Sequence, residues 1–417
     1  MNLNSFTTTS LAAAALLASG ATITHAGDVS GKITFYTHFG QFVDSGDWER
    51  WSSEFETKYP GTEVEILHVA NFRKEMPTRI ASGDYGDVLN VMDNLPPSEY
   101  AEFYLPLNDM SLAETHSFVD RYEVDGKIYG YVYGANAEAV VYNKAAFERA
   151  GIEGIPTTRT ELFAACDKLK AEGIVPFQIN MGAGWPMQQW DKAALLFAGD
   201  GSYYDAAVTD PAPFAAGKPY GEAMRFVREL FEAGCTERDY TANNWDESKM
   251  MLAAGEAAMW FLANWSIPQT IVAGEALEIE DVSGDLGMFP LPVDDSGDPA
   301  VLLWPDWALG VSAKSENPDT AKAWIEFLLT ETDVANSAGF IPGDPRIAPE
   351  MPQLKALFSL DPRVIEAGTP SSEFKQAMAD ARLDFMSGTY IRDLVLAEDF
   401  DAAITTVNDR WSRAIAE

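Results

Sequence analysis

The run Gly255-Glu256-Ala257-Ala258-Met259-Trp260-Phe261-Leu262-Ala263-Asn264-Trp265 decides how the chain is read. It follows a helical stretch, Glu247 to Ala254, and opens on a glycine. Ala257 to Leu262 is then an unbroken apolar run, long enough for one buried strand. It stops abruptly at Asn264-Trp265, a polar amide beside the largest flat apolar side chain. Open α/β sheets bind ligands beyond the carboxyl ends of their strands, so the pair reads as a pocket wall. The competing reading is packing, because tryptophan is often buried for its area alone and asparagine suits turns.

Other strand ends bear on that choice. Lys32 to Thr37 alternates, with Ile33 and Phe35 on one side, and ends at His38. Val64 to Val69 reads as a second strand. Asp87 to Met92 is an apolar strand that ends in Asp93-Asn94, while Asp87 sits at its opposite, structural end. Val175 to Ile179 runs out through Gly182-Ala183-Gly184 to Trp185. Trp304-Pro305-Asp306-Trp307 precedes the strand Ala308 to Ser312, so it reaches the same edge only if that strand runs antiparallel to its neighbours. Arg346, in the loop from Gly339, is a further candidate. By contrast Trp48, Trp51 and Phe55 share one face at helical spacing and read as core.

Polar-plus-aromatic clusters at several strand ends point to one kind of ligand. Carboxylates and side-chain amides bind vicinal hydroxyls, and a carboxylate can accept from two at once. Indole faces suit the C–H faces of a pyranose. Together they describe a sugar site. An aromatic box for a cationic or zwitterionic solute of betaine or polyamine type uses similar residues and is the alternative. The candidate ligand-binding set is His38, Asp93, Asn94, Trp185, Asn264, Trp265, Trp304, Asp306 and Arg346.

Length and composition set the frame. A chain of 417 residues with 47% hydrophobic content calls for two globular domains. Residues 1–26 read as an export signal, with an apolar Leu11–Ala18 and a small-residue site at Thr24-His25-Ala26, although Met1 to Ser10 carries no Lys or Arg. No later stretch reads as a membrane span. Sixty-four acidic residues against 29 basic ones give a net charge of −35, which disfavours nucleic acid and anionic membrane as partners. The cysteines, Cys166 and Cys235, form either a disulfide or two buried thiols.

Motifs for catalysis or metal binding do not emerge: there is no P-loop, G-x-S-x-G, H-E-x-x-H or C-x-x-C. Past residue 26 the histidines are His38, His68 and His116, without metal-ligand spacing. No cofactor and no metal are therefore expected. An exported glycosidase is the less favoured alternative, since nothing singles out a catalytic carboxylate pair among so many acids. Two closely spaced β segments, Ile128–Tyr133 and Val140–Tyr142, leave no room for a crossover helix and read as a hinge between lobes; Leu286 to Leu291 reads as a second crossing.

These features, taken in order, resemble the maltose-binding-protein-like solute-binding proteins, extracellular family 1, that feed ABC sugar importers. The resemblance spans nearly the whole chain after residue 26. It is carried by Gly31-Lys32-Ile33-Thr34-Phe35-Tyr36, and by Phe55 with Tyr59-Pro60-Gly61 and Val64. Gly126-Lys127-Ile128-Tyr129-Gly130 with Tyr142-Asn143-Lys144, and Gly255 to Met259 with Asn264-Trp265, carry it further. It implies an α/β, two-lobe periplasmic-binding-protein fold, type II-like, with a ligand cleft and hinge strands between the lobes. The lobes would be 27–135 plus 290–335 and 136–289 plus 336–417. It also implies a monomer in the periplasm that binds a sugar, does no chemistry on it, and hands it to permease subunits without inserting into the membrane. Asp93 and Asn94 would bind hydroxyls, Trp265 would stack, and Trp185 would lie in a contact loop. Two departures stand out: Gly86-Asp87 replaces a Pro-Asp, and Trp304-Pro305-Asp306-Trp307 replaces a glycine-rich entry, so that Trp304 would narrow or line the pocket.

Overall fold

A computed structural model describes residues 29–92 and 95–416. The segment expected to be an export signal and the pair Asp93-Asn94 lie outside the described residues.

Alternating Ile33 and Phe35 build the strand Gly31–Thr37 and are fully buried. This strand pairs in parallel with Thr62–His68 on one side and Val88–Asn90 on the other. Parallel neighbours need crossovers, and the helices Asp47–Lys58 and Phe72–Ser82 supply them. Trp48, Trp51 and Phe55 are buried by the first of these helices, as their spacing requires. Asp87 is structural: its carboxylate accepts from Thr34 N (2.8 Å) and Ser315 Oγ (2.6 Å). Ala308–Val311 then joins from far along the chain, antiparallel to both Val88–Asn90 and Tyr131–Val132, to complete a five-stranded sheet. That direction brings the residues ahead of it to the carboxyl edge of the parallel strands.

A second sheet holds the opening stretch. Ala257–Phe261, fully apolar and buried along its length, pairs with Val140–Asn143 and Val175–Gln178; Leu286–Phe289 closes the other side. Gly255 has φ +67°, and a Cβ there would meet the Asn143 amide oxygen at 3.0 Å, so the turn into the strand suits glycine.

A third sheet carries the chain between these two. Gly134–Glu138 and Ala300–Pro305 pair antiparallel, flanked by Ile341–Pro342 and Arg363–Glu366. A Cβ on Gly134 would lie 2.2 Å from the Ile341 carbonyl oxygen, so this approach admits only glycine. The first crossing falls within the expected hinge. The return crossing is at Ala300–Pro305 and not at Leu286–Leu291: Leu286–Phe289 spends its whole length paired to Val140–Asn143 in the second sheet. An apolar run alone does not distinguish a crossing strand from an ordinary core strand.

Each lobe has its own core. In the first lobe, Phe35, Trp48, Trp51, Phe55 and Trp324 pack together. In the second, Ser372–Asp380, Thr389–Val395 and Phe400–Ala414 dock on the sheet-bearing part and bury Phe374, Ile391 and Trp411. Cys166 and Cys235 are both buried there and unbridged. No helix among the described residues is long and apolar enough to cross a membrane.

Asp191 lies fully buried beside this docking surface and accepts from Tyr390 Oη and Met386 N. Burial pushes its carboxyl up to about 7 against those hydrogen bonds. The folded state therefore holds a proton that the unfolded chain releases near pH 4. Stability from this group is fully present below that pH and is lost as pH rises through about 7, at about 1.4 kcal/mol per pH unit. Asp191→Asn should make the fall in unfolding free energy between pH 5 and 7 shallower by about that slope, as read from urea midpoints. Equal slopes in both proteins would remove Asp191 as the cause.

Candidate functional site

A cleft of about 960 Å³ opens between the lobes, with walls from both and a floor from the third sheet. On the first-lobe side the chain leaves Gly31–Thr37 and turns at once. Phe39 N donates to Thr37 Oγ1 and Phe39 O accepts from Trp48 Nε1, which fixes the turn. His38 is thereby presented to the cleft. Its Nδ1 lies 2.6 Å from Asn90 Nδ2, an amide nitrogen that can only donate, and its ring lies 5.3 Å from Trp307. Trp307 lines the cleft and packs against both first-lobe clusters.

Two-residue periodicity builds the floor. Trp304 stands opposite Asn136 in the antiparallel pair, so Asn136, Glu138, Leu302 and Trp304 share one face. Asp306 follows the strand end. Its Oδ2 accepts from Asn136 Nδ2 at 2.6 Å and its Oδ1 from Trp307 N at 2.8 Å. The second-lobe wall is Trp265, half-buried, at the start of the helix Ser266–Glu275 and in contact with apolar clusters of both lobes. Trp185 and Trp245, edge to face at 4.6 Å, each lie 6.0 Å from its ring.

Of the nine residues singled out in the sequence, the structure gathers His38, Trp265, Trp304 and Asp306 around one cleft. Asp93 and Asn94 lie outside the described residues. Trp185 is one ring removed, behind Trp265. Asn264 is corrected to a structural role. It is fully buried, its Oδ1 accepts from Ala137 N (2.6 Å), and its Nδ2 donates to Gly339 O (2.5 Å) and Asn136 Oδ1 (3.4 Å). Fully buried and already bonded through both its oxygen and its nitrogen, it presents nothing to the cleft. Arg346 is also corrected: it is exposed, off the cleft, and closed onto Asp344 in its own loop by two guanidinium nitrogens.

Sequence reasoning passed over four lining groups. Trp307 was quoted only as part of a motif. Gln189 and Lys192 share a face of the helix Gln189–Ala198 at a spacing of three, the one signal that could have found them. Arg121 sits in a short 3-10 turn, Val119–Tyr122, where nothing local marks it. Lys192 reaches the floor, with Nζ 2.5 Å from Glu138 Oε1 and 5.0 Å from the Trp304 ring centre. Burial pushes the Glu138 carboxyl up to about 7, and Lys192 opposes the rise. Arg121 approaches the same ring, its Cζ 5.2 Å from the centre. Among the described residues no group of three or more His, Cys, Asp or Glu could hold a metal ion.

Comparison with known proteins identifies related chains. Residues 42–335 match the family described as bacterial extracellular solute-binding protein. The multiple sugar-binding protein of Streptococcus mutans is 23% identical over 286 residues, 66% of this chain and 66% of that protein. The diacetylchitobiose binding protein DasA of Streptomyces coelicolor is 25% identical over 71% of this chain and 70% of its own. Among solved structures, an ABC-transporter binding protein of Bifidobacterium animalis subsp. lactis in complex with mannobiose superposes with a TM-score of 0.81. It is 23% identical and the match covers 93% of this chain and 95% of that one. That likeness establishes the shared two-lobe fold.

Asn264→Ala should cost about 2–4 kcal/mol in urea unfolding, because it strands a buried amide and carbonyl on crossing segments. Trp265→Ala, at a half-exposed wall position, should cost less. A smaller loss for Asn264→Ala than for Trp265→Ala would contradict the structural role.

Proposed function

The chain belongs to the bacterial extracellular solute-binding proteins, and from that premise we propose that it captures a sugar or short oligosaccharide and delivers it to the permease subunits of an ABC importer. One observation carries the reading: one inter-lobe cleft is lined by Trp265 from the second lobe and Trp307 from the first, together with His38 and Asp306. Indole faces meet pyranose C–H faces, and the polar groups orient hydroxyls. The relatives, which include a multiple sugar-binding protein and a diacetylchitobiose binding protein, support the same class.

In this reading the two lobes are hinged where the third sheet passes between them, with the outgoing crossing at Gly134–Glu138 and the return crossing at Ala300–Pro305. The protein works as a monomer in the periplasm after removal of residues 1–26. It binds without chemistry, closing about the hinge so that the permease meets the closed form. Asp93 and Asn94 add hydroxyl contacts from the first lobe. A cationic solute fits less well, because Arg121, Lys192 and Lys249 line the cleft.

Thermal shift and calorimetry with neutral and acidic di- and trisaccharides, mannobiose and mannotriose included, test the proposal. At least one should raise Tm by mass action. Trp265→Ala should weaken its binding by about 30-fold, roughly 2 kcal/mol, while far-ultraviolet circular dichroism is unchanged. Stabilisation by betaine, choline or a polyamine, with none by any saccharide, would overturn the sugar reading.

A further inference from the structure

The charges around the cleft run against those of the chain. Acidic residues outnumber basic ones 64 to 29 overall. Among the described cleft-lining residues there are three cations, Arg121, Lys192 and Lys249, and two carboxylates, Asp47 and Asp306. Most of these are already answered. Lys192 is paired with Glu138 and Lys249 with Asp246. Asp47 is held by Arg50 and Ser45, and Asp306 by Asn136 and the Trp307 N–H.

Arg121 is different. No carboxylate lies within ion-pairing distance of it among the described residues, and its Nη1 is buried with no hydrogen-bond partner among them. Its guanidinium carbon lies over the Trp304 ring, 5.2 Å from the ring centre. Arg121 also lines the cleft, and the partner that best matches a guanidinium's planar fork is a carboxylate. Lys192 approaches the same ring, so a second cation stands near the position such a carboxylate would take. With Arg121 and Lys192 beside Trp304, the indoles left to stack on sugar rings are Trp265 and Trp307. A surface of net charge −35 repels anions, so an anionic ligand would be held only by cations placed inside the cleft.

We propose that the ligand is an oligosaccharide carrying a uronic acid residue, whose carboxylate is received by Arg121 beside Trp304. The proposal rests on the sugar reading above and narrows it to acidic saccharides.

Calorimetry on the full chain would compare digalacturonate and trimannuronate with mannobiose and mannotriose. At least one uronate should bind about tenfold tighter than the neutral sugars. Raising NaCl from about 20 to about 300 mM should weaken uronate binding several-fold and neutral binding hardly at all. Arg121→Gln should lower the ratio of uronate to neutral affinity by about tenfold, and Arg121→Lys should restore part of it. Neutral sugars binding as tightly as uronates, or an affinity ratio unchanged in Arg121→Gln, would overturn the proposal and leave the sugar reading standing. If no saccharide of either kind binds, both fall. Should Arg121→Gln fail to fold, the salt dependence and affinity ratio of the unmodified chain decide the matter.

Discussion

The buried side-chain amide of Asn264 holds the architecture together at its crossing point. It stands where Ala257–Phe261 has just ended, and it bonds the backbone of the outgoing crossing strand at Ala137 and of the segment before Ile341 at Gly339. Through Asn136 it reaches Asp306, and Asp306 in turn accepts from the Trp307 N–H. One polar chain therefore links the end of a second-lobe strand to the entry of the antiparallel first-lobe strand. Buried amides of this kind cost folding energy unless every valence is met. Because they are met here, the segments that carry Trp265 and Trp307 are tied to one another through buried hydrogen bonds.

Much of this was legible in the sequence because it depended on period and on chain punctuation. The Ile33–Phe35 alternation, the Trp48, Trp51 and Phe55 face, and the apolar Ala257–Phe261 run each specify an element locally. The direction of Ala308–Val311 was recoverable as a condition, since Trp304 and Asp306 could share the cleft edge only if that strand ran antiparallel. What sequence could not supply is whether a polar side chain near a strand end still has hydrogen-bonding capacity to spare. Asn264 and Asp306 look alike on paper. One spends all its bonds on backbone and a neighbouring amide, while the other lines the cleft. Arg346 failed for the same reason, closed onto Asp344 two residues away.

Arg121 and Lys192 were illegible for a different reason. Nothing local marks Arg121, Lys192 is marked only by its spacing from Gln189, and their meeting at Trp304 depends on the register that sets Trp304 opposite Asn136. A one-residue slip in that pair would put Trp304 and Glu138 on opposite faces of the sheet and dissolve the arrangement.

That arrangement has a consequence for closure. Arg121 belongs to a first-lobe turn and Lys192 to a second-lobe helix, while Trp304 sits on the sheet between them. Lys192 is tied to Glu138 at the second-lobe end of the crossing strand, so the pair moves with that lobe. Closure about the proposed hinge would then change the separation of Arg121 from Lys192. Both approach the Trp304 ring, and bringing two cations closer together in a partly buried cleft costs free energy. A carboxylate seated between them turns that repulsion into two attractions. Only a ligand that interacts differently with the open and closed forms can shift their balance, and an anion at Trp304 meets that condition where a neutral hydroxyl does so weakly. The same three side chains would then set both what the cleft accepts and when it shuts.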